Sequence, residues 1–304
     1  MKKVLVPIIA IVVIIGILVI ATAQTNQTTP SSLSKVQIVA AENFYGDIAQ
    51  QLGGDKAQVI SIISDPNTDP HEYESTVKDA QAVYKAQIVI KNGDNYDTWM
   101  DKLLSASPNS NRMVVSGANI APDQLPDNPH IWYGINNVRA IAQVIAEDLK
   151  KQDPADSAIF ESNLQTFDTS LQAIQQKMTD IKNKYNGTPV ALTETIGLYQ
   201  TKPMGLHVLT PIAFEQAIAE GNDPSADDVA KTNDQITKKQ VRVLIYNSQT
   251  VTPITTNLQN EAKQNNIPVV PITETMPKNM HYQSWMMSQL NNLQQALAAT
   301  SVSR

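Results

Sequence analysis

Two of the four histidines in this sequence of 304 residues follow a proline and stand near carboxylates. His71 lies in "TDPHEYE" (68–74), and His130 lies in "DNPHIWY" (127–133). Proline fixes its own backbone angle φ and pushes the preceding residue toward extended geometry, so each imidazole follows a stiff segment. Imidazole is a common ligand of divalent transition metals. A lone loop histidine is usually a surface residue, but the repeated context favours metal binding at both positions.

Two glutamates supply candidate oxygen ligands. Glu194 follows an apolar segment at 188–193, and Glu274 follows another at 267–272. Two imidazoles with two carboxylates suit a borderline cation such as Zn²⁺, Mn²⁺ or Fe²⁺, whereas the absence of cysteine excludes a thiolate site. Taken alone, a glutamate after a strand is more often a helix cap or a solvated side chain.

Short β-branched segments alternate with amphipathic ones in the first half of the chain, which predicts a βαβα order. This order is typical of a parallel sheet with helices on both faces. The predicted strands are 36–41, 59–64, 86–93 and 112–117, and the predicted helices are 43–52, 75–85, 94–105 and 136–150. Both Pro-His segments then lie on loops, the first of them directly after a strand.

A single long helix is predicted between residues 154 and 186. Its apolar residues alternate steps of four and three, Pro154 suits a first-turn position, and Asn186-Gly187 ends the pattern. At about 1.5 Å per residue this helix is roughly 45 Å long. We interpret it as a strut shared by two lobes, and coiled-coil dimerisation is the alternative.

The βα alternation resumes after the strut. The predicted strands are 188–194, 241–247 and 267–273, and the predicted helices are 211–220, 252–265 and 282–299. We therefore predict an α/β protein with two lobes, 35–151 and 187–304, joined by a linking helix at 152–186. Each lobe has a small parallel sheet flanked by helices, and a ligand belongs at the carboxyl ends of the strands, in the cleft between the lobes.

The N-terminal segment has the features of an export signal. Lys2 and Lys3 precede an apolar run of 17 residues, and "ATAQ" at 21–24 has the small-residue pattern of a cleavage site. The run just reaches the lower limit for a membrane span, so residues 1–23 are either a signal peptide or an uncleaved anchor. Residues 24–34 are rich in Ser, Thr and Gln, which predicts a flexible linker.

Composition excludes one class of partner. When the two signal lysines are removed, the 23 basic residues become 21 against 29 acidic ones, a net charge of −8. Such a surface repels nucleic acid and mildly concentrates cations. Because cysteine is absent, the folded region depends on its core rather than on disulfides.

Several segments together resemble one family, the zinc/manganese-specific solute-binding proteins of ABC importers. They are "AAENFYGDIAQQLGGD", "DPHEYE", "NGDNYDTWM", "NPHIWY" and "ITETMPKNMHYQSWM", and the resemblance covers residues 36–300. It implies two α/β lobes joined by a rigid helix, with one Zn²⁺ or Mn²⁺ held between them as cargo for a membrane permease. It also implies an exported, non-enzymatic protein of the cell envelope, periplasmic or on the outer face of the cytoplasmic membrane, and we expect a monomer.

The resemblance also implies the ligand set. The two Pro-His motifs of the family fall on His71 and His130, and its third ligand, a histidine in many zinc members and a glutamate in manganese members, falls on Glu194. The fourth ligand is usually an aspartate, whereas this sequence has Glu274 in "ITET", which lengthens the ligand arm by one methylene. The lipid-attachment cysteine and the His/Asp-rich loop of many members are missing. The choice between zinc and manganese therefore stays open.

Two other functions remain as alternatives. A surface adhesin could use the same fold, and two histidines with a carboxylate could form a mononuclear metalloenzyme centre. The sequence contains no HExxH helix and no G-x-S-x-G elbow, which disfavours an enzyme. His207 and His281 lack the Pro-His context, and we interpret them as surface or packing residues.

Overall fold

Two four-stranded parallel sheets organise the protein. The structure is a computed structural model and describes residues 35–66, 68, 70 and 73–299. The front sheet consists of β1 (Val36–Glu42), β2 (Ala57–Ile63), β3 (Ile88–Lys91) and β4 (Met113–Ser116), in the spatial order β2-β1-β3-β4. The rear sheet consists of β5 (Pro189–Leu192), β6 (His207–Val208), β7 (Leu244–Asn247) and β8 (Val269–Ile272), in the order β6-β5-β7-β8. The predicted α/β class with two parallel sheets is confirmed.

Both faces of the front sheet are buried. Ile38 of β1 pairs with Val59 of β2 and with Ile88 of β3, so β1 is a central strand. Alternate residues of β1 enter two different apolar clusters, Ile38 in one and Val39 in the other. This two-sided burial explains why the strands are apolar throughout rather than alternating with polar residues.

Eleven α-helices surround the sheets in the described part of the chain. In the front lobe they are α1 (Asn43–Gly53), α2 (Val77–Lys85), α3 (Thr98–Ala106), α4 (Gly117–Ile120) and α5 (Ile135–Gln152). The strut is α6 (Ser157–Tyr185), and the rear lobe has α7 (Leu198–Thr201), α8 (Ile212–Ala219), α9 (Ala226–Thr237), α10 (Pro253–Gln264) and α11 (Tyr282–Ala299). Neither α9 nor the two-residue strand β6 was predicted from the sequence.

The strut buries its apolar face within this chain. A 3₁₀ turn at Pro154–Asp156 leads into α6, which contacts α1 and α5 of the front lobe and α11 of the rear lobe. Its buried residues are Phe160, Phe167, Leu171, Ile174, Met178 and Ile181. The predicted linking helix is confirmed, and the apolar pattern that also suited a coiled coil is used inside the protein.

A row of polar side chains on α1 binds the segment that precedes and begins α11. Asn43, Asp47 and Gln51 are spaced four residues apart and therefore share one face of the helix. They hydrogen-bond with Met276, Tyr282 and Gln283, respectively. The Asn43 and Gln51 contacts are reciprocal, with distances between 2.7 and 3.1 Å. This row fixes the front lobe against the rear lobe.

Three predictions concern residues that the structure does not describe. The signal or anchor at 1–23, the linker at 24–34 and the candidate ligand His71 all lie outside the described residues. Among the residues that are described, no helix has the length and the apolar character needed to cross a membrane.

Candidate metal centre

His130 is buried and its ring orientation is set by a neighbour. It precedes a 3₁₀ turn at Ile131–Tyr133, and only 1% of its surface is exposed. Its Nδ1 lies 2.8 Å from Oδ1 of Asn128. Because an amide oxygen only accepts hydrogen bonds, Nδ1 carries the proton and Nε2 keeps the lone pair that a metal needs.

Asn128 connects the His130 loop to the rear lobe. The Asn128 side chain donates to the carbonyl of Thr195 (2.8 Å), which directly follows Glu194. The hydroxyl of Tyr199 donates to the carbonyl of Asn128 (3.1 Å). On the front side, Asn92 at the end of β3 donates to the carbonyl of Pro129 (2.9 Å). The stiff Pro-His segment is thus held from both lobes.

Glu274 receives hydrogen bonds from both lobes as well. It stands two residues after β8 and is 6% exposed. Its Oε1 accepts from Nδ2 of Asn247 (2.7 Å), and its Oε2 accepts from the hydroxyl of Tyr96 in the front lobe (3.2 Å). Its backbone amide donates to Oε1 of Gln249 (2.6 Å). The side chains of Asn247 and Tyr96 are neutral donors, so they orient the carboxylate without neutralising its charge.

Glu194 occupies the corresponding place after β5. It precedes the 3₁₀ turn Thr195–Gly197 and is 1% exposed. A second carboxyl, Glu215 on α8, is also buried. Burial raises the pKa of Glu215 well above its usual value; Lys202 opposes this rise, and the charge on Glu194 adds to it. The position of Glu194 at the carboxyl end of a rear strand agrees with its predicted place.

A cavity of about 450 Å³ brings two of the candidate ligands together. His130 and Glu274 both line it, and its other described lining residues include the carboxylates Asp94, Asp127 and Glu220. These three are exposed, so the mouth of the cavity carries negative charge. Glu194 is not among the described lining residues; its neighbour Thr195 accepts a hydrogen bond from Asn128. Among the residues that the structure describes, no group of three or more His, Asp or Glu side chains is arranged so that it could hold a metal ion.

The turn between β3 and α3 shapes one side of the cavity. The predicted helix at 94–105 begins only at Thr98, because Asp94 and Asn95 have φ values of 52° and 62°. The buried carboxylate of Asp97 accepts the backbone amides of Asn92 (2.7 Å) and Gly93 (2.8 Å), which closes the turn. Asp and Asn tolerate positive φ better than other residues with side chains.

The remaining histidines lie elsewhere. His207 is exposed on β6, and His281 is exposed with its Nδ1 2.6 Å from Oδ1 of Asp47. Neither is among the described residues that line the cavity. A larger cavity of about 810 Å³ beside the strut has Asp123 as its carboxylate, which accepts from Asn136, and no imidazole among its described lining residues. We therefore take the smaller cavity, which is lined by an imidazole and several carboxylates, as the candidate metal centre.

Sequence reasoning missed the residues that position the ligands. Asn128 and Gln249 lie on predicted loops, and Asn247 is the last residue of a predicted strand. Tyr96 lies within the predicted helix 94–105, which begins only at Thr98 in the structure. One signal was available for Asn128, since it stands two residues before His130 in the Pro-His motif. The other partners are distant in sequence from the ligands that they contact.

The protein has two α/β lobes, each with a parallel sheet, joined by a strut, and a buried imidazole and a buried carboxylate line one cavity. These features define a two-lobe solute-binding protein. Residues 38–296 match the family described as the zinc-uptake complex component A, periplasmic (ZnuA), and the chain belongs to this family. The manganese ABC transporter substrate-binding lipoprotein scaA of Streptococcus gordonii is 26% identical over 295 residues, which cover 89% of this chain and 92% of that protein.

Solved structures share the fold. The periplasmic zinc-binding protein TroA of Treponema pallidum has a TM-score of 0.73 at 16% identity, covering 87% of this chain and 99% of TroA. FpvC of Pseudomonas aeruginosa, solved in complex with Mn²⁺, has a TM-score of 0.73 at 21% identity, covering 88% of this chain and 100% of FpvC. At these identities the likeness establishes the two-lobe fold.

Proposed function

We propose that this protein captures one divalent transition metal, Zn²⁺ or Mn²⁺, outside the cytoplasm and delivers it to the permease of an ABC importer. The metal is cargo, and we expect no catalysis. The observation that carries the proposal is the shared cavity of His130 and Glu274. A buried imidazole with its Nδ1 hydrogen-bonded and a buried carboxylate from the other lobe face the same space. The names of the zinc and manganese relatives support this function.

The proposed ligands are His71, His130, Glu194 and Glu274. The front lobe contributes two imidazoles and the rear lobe two carboxylates, so neither lobe holds a complete set. Such a division suits capture and release, because a rotation of one lobe relative to the other separates the ligands. Zinc has the higher intrinsic affinity for most sites of this kind, while the oxygen-rich half of the set suits manganese.

We further propose that the protein is an exported monomer of the cell envelope. The buried apolar face of the strut supports the monomer, because that face is covered by helices of the same chain. The N-terminal segment 1–23 would be removed as a signal peptide or, if it is retained, would attach the protein to the cytoplasmic membrane. The acidic composition agrees with a cation as cargo and disfavours nucleic acid.

Elemental analysis tests the cargo. We expect protein purified from its native envelope, without added metal, to contain zinc or manganese at about one ion per chain. Competition titration with a metal indicator then ranks the two ions. Protein that carries no transition metal and binds neither ion at one-to-one stoichiometry would overturn the proposal. Growth of a deletion strain under zinc or manganese limitation tests delivery, and unimpaired growth would favour an adhesin.

A further inference from the structure

Gln249 connects a candidate ligand of the rear lobe to the front lobe. It lies in the loop between β7 and α10, and all four hydrogen-bonding positions of its side-chain amide are occupied. Its Oε1 accepts the backbone amides of Glu274 (2.6 Å) and Thr275 (3.0 Å). Its Nε2 donates to the hydroxyl of Thr275 (2.7 Å) and to the carbonyl of Pro66. These partners determine the orientation of the amide, because a backbone amide can only donate and a carbonyl can only accept.

The carbonyl of Pro66 is the point at which the front lobe is bound. Pro66 stands three residues after the last residue of β2. Besides the bond from Gln249, its carbonyl accepts a hydrogen bond from the hydroxyl of Thr275 (2.9 Å). A carbonyl oxygen has two lone pairs, so the rear lobe satisfies both of them. Because Thr275 is 0% exposed, a bond lost at its hydroxyl is not readily replaced by a bond to water.

These bonds lie beside the candidate metal centre. Glu274, which lines the cavity together with His130, directly precedes Thr275 in the chain. The backbone amide of Glu274 is also one of the two amides that Gln249 binds. A movement of Pro66 away from the rear lobe therefore breaks a bond at the same side chain that fixes the backbone of a candidate ligand.

Other contacts between the lobes differ from these bonds in burial or in position. Lys278 lies 3.9 Å from Asp65, but the two side chains are 66% and 55% exposed, so water and salt weaken this ion pair. The polar row on α1 extends toward the strut, where Gln283 donates to Ser170 of α6 (2.8 Å). A rotation about the strut moves atoms beside it less than atoms at the cavity. The bonds to Pro66 are therefore well placed to resist a rotation of the lobes.

We propose that Gln249 and Thr275 are positioning residues of the metal centre, and that their hydrogen bonds to the carbonyl of Pro66 form an inter-lobe latch that sets the rate of metal release. This inference rests on the proposed function, in which ligands from both lobes hold the cargo. Release requires the lobes to separate. Bonds that exist only while the lobes are together therefore slow release more than they affect capture. The latch acts on the lifetime of the bound state rather than on the coordination of the metal.

The first test compares Thr275→Val with Thr275→Ser, both as full chains. Valine has nearly the size of threonine but cannot donate to Pro66, whereas serine keeps the hydroxyl. Release of Zn²⁺ to an excess of a chromogenic chelator measures the dissociation rate, and competition titration measures the affinity. We expect Thr275→Val to release Zn²⁺ about 5- to 30-fold faster, with an association rate within about threefold of the wild-type value. Thr275→Ser should behave like the wild-type protein.

A second measurement needs no metal. The chain contains no cysteine, so Lys85→Cys on α2 and Lys263→Cys on α10 place one spin label at an exposed position in each lobe. Pulsed electron paramagnetic resonance then measures the distance between the labels in the metal-free protein. We expect Thr275→Val to broaden the distribution toward longer distances, because the lobes separate more often without the latch.

Two further variants complete the design. Gln249→Met removes the other latch side chain at nearly constant size and should reproduce both effects; it replaces Thr275→Val if that variant does not fold. Thr252→Val is the matched control, because the hydroxyl of Thr252 caps α10 within the rear lobe by accepting the amide of Thr255 (3.1 Å). Loss of a cap lowers stability, but the release rate and the label distances should equal those of the wild-type protein.

Two results would overturn the latch while leaving the proposed function intact. One is wild-type release with unchanged label distances in both Thr275→Val and Gln249→Met. The other is a loss of affinity that comes from slower association with unchanged label distances, which is expected if these residues only shape the backbone of Glu274. Wild-type protein that binds neither Zn²⁺ nor Mn²⁺ would refute the proposed function and the role in release. The label distances would then still decide whether the bonds to Pro66 hold the lobes together.

Discussion

The two lobes hold their candidate ligands in different ways. Glu194 and Glu274 each stand two residues after a rear strand, so the sheet itself places them. His130 lies on a loop and is held by side chains, namely Asn128 at its ring and Asn92 at the preceding carbonyl. The backbone hydrogen bonds of the sheet fix the position of a residue near a strand end. A loop residue instead depends on hydrogen bonds from neighbouring side chains. The imidazole side of the centre should therefore be the more sensitive to changes in surrounding residues.

The largest expected effect is the loss of an imidazole. His71→Ala and His130→Ala should each weaken metal binding by about 100-fold or more, since removing a ligand costs more than removing a residue that orients one. Competition titration against a metal indicator measures the change. His207→Ala is the matched control, because His207 is exposed on β6. Near-wild-type affinity in His71→Ala would remove that residue from the ligand set.

Acid should affect the imidazole side of the centre before the carboxylate side. A protonated imidazole cannot bind a metal, so the affinity should fall by about 10- to 100-fold per pH unit below about pH 6.5. Carboxylates begin to compete only near pH 4.5. Titrations between pH 7.5 and pH 5 test the order, and His130→Ala should show a shallower slope. A flat profile down to pH 5 would contradict imidazole ligation.

Removing one orienting hydrogen bond at His130 and one at Glu274 tests whether the two candidate ligands differ in their dependence on neighbouring side chains. Asn128→Ala should lower metal affinity by about 10-fold or more, because the His130 ring loses the acceptor that lies 2.8 Å from its Nδ1. Asn247→Ala should cost less, because Glu274 still has the hydroxyl of Tyr96 and its own bond to Gln249.

Asn128→Asp provides a rescue, since an aspartate keeps the acceptor for Nδ1 but loses the bond to Thr195. It should recover most of the affinity if ring orientation is the dominant role of Asn128. Equal losses in Asn128→Ala and Asn247→Ala would show that the two lobes do not differ in this respect.

The smallest expected effect concerns stability in the rear lobe. The raised pKa of Glu215 means that the folded protein keeps this proton at a pH where the unfolded chain has lost it. The contribution of Glu215 to the stability of the wild-type protein therefore falls as the pH rises above 4.5, the ordinary pKa of a glutamate. Glu215→Gln has no titrating group at this position and does not show this fall. Relative to the wild-type protein, the unfolding free energy of the variant should increase by about 1–3 kcal/mol between pH 4 and pH 7.

Urea unfolding of the metal-free proteins at the two pH values measures this shift. The exposed Glu220, next to the end of α8, supplies the control Glu220→Gln, for which no such shift is expected. If the unfolding free energies of Glu215→Gln and the wild-type protein differ by the same amount at both pH values, Glu215 is not a buried, protonated group.

Much of the fold could be predicted because long apolar patterns dominate it. The strut was predictable from its alternating steps of four and three, and the buried residues Phe160, Leu171 and Ile181 follow that pattern. Helix α9 was missed because it is mostly polar and buries only Thr232 and Ile236. Strand β6 was missed because two residues carry no periodicity.

The sequence by itself determined the two sheets, the strut and the candidate ligands, because each depends on a local pattern of apolar residues or on a short motif. Only the tertiary structure decided how the ligands are held and that Glu215 is buried. Tyr96 and Asn247 reach Glu274 from distant parts of the chain, and no local pattern records such a contact. The physical reason is that a hydrogen bond or a desolvated carboxyl depends on which segments the folded core brings together.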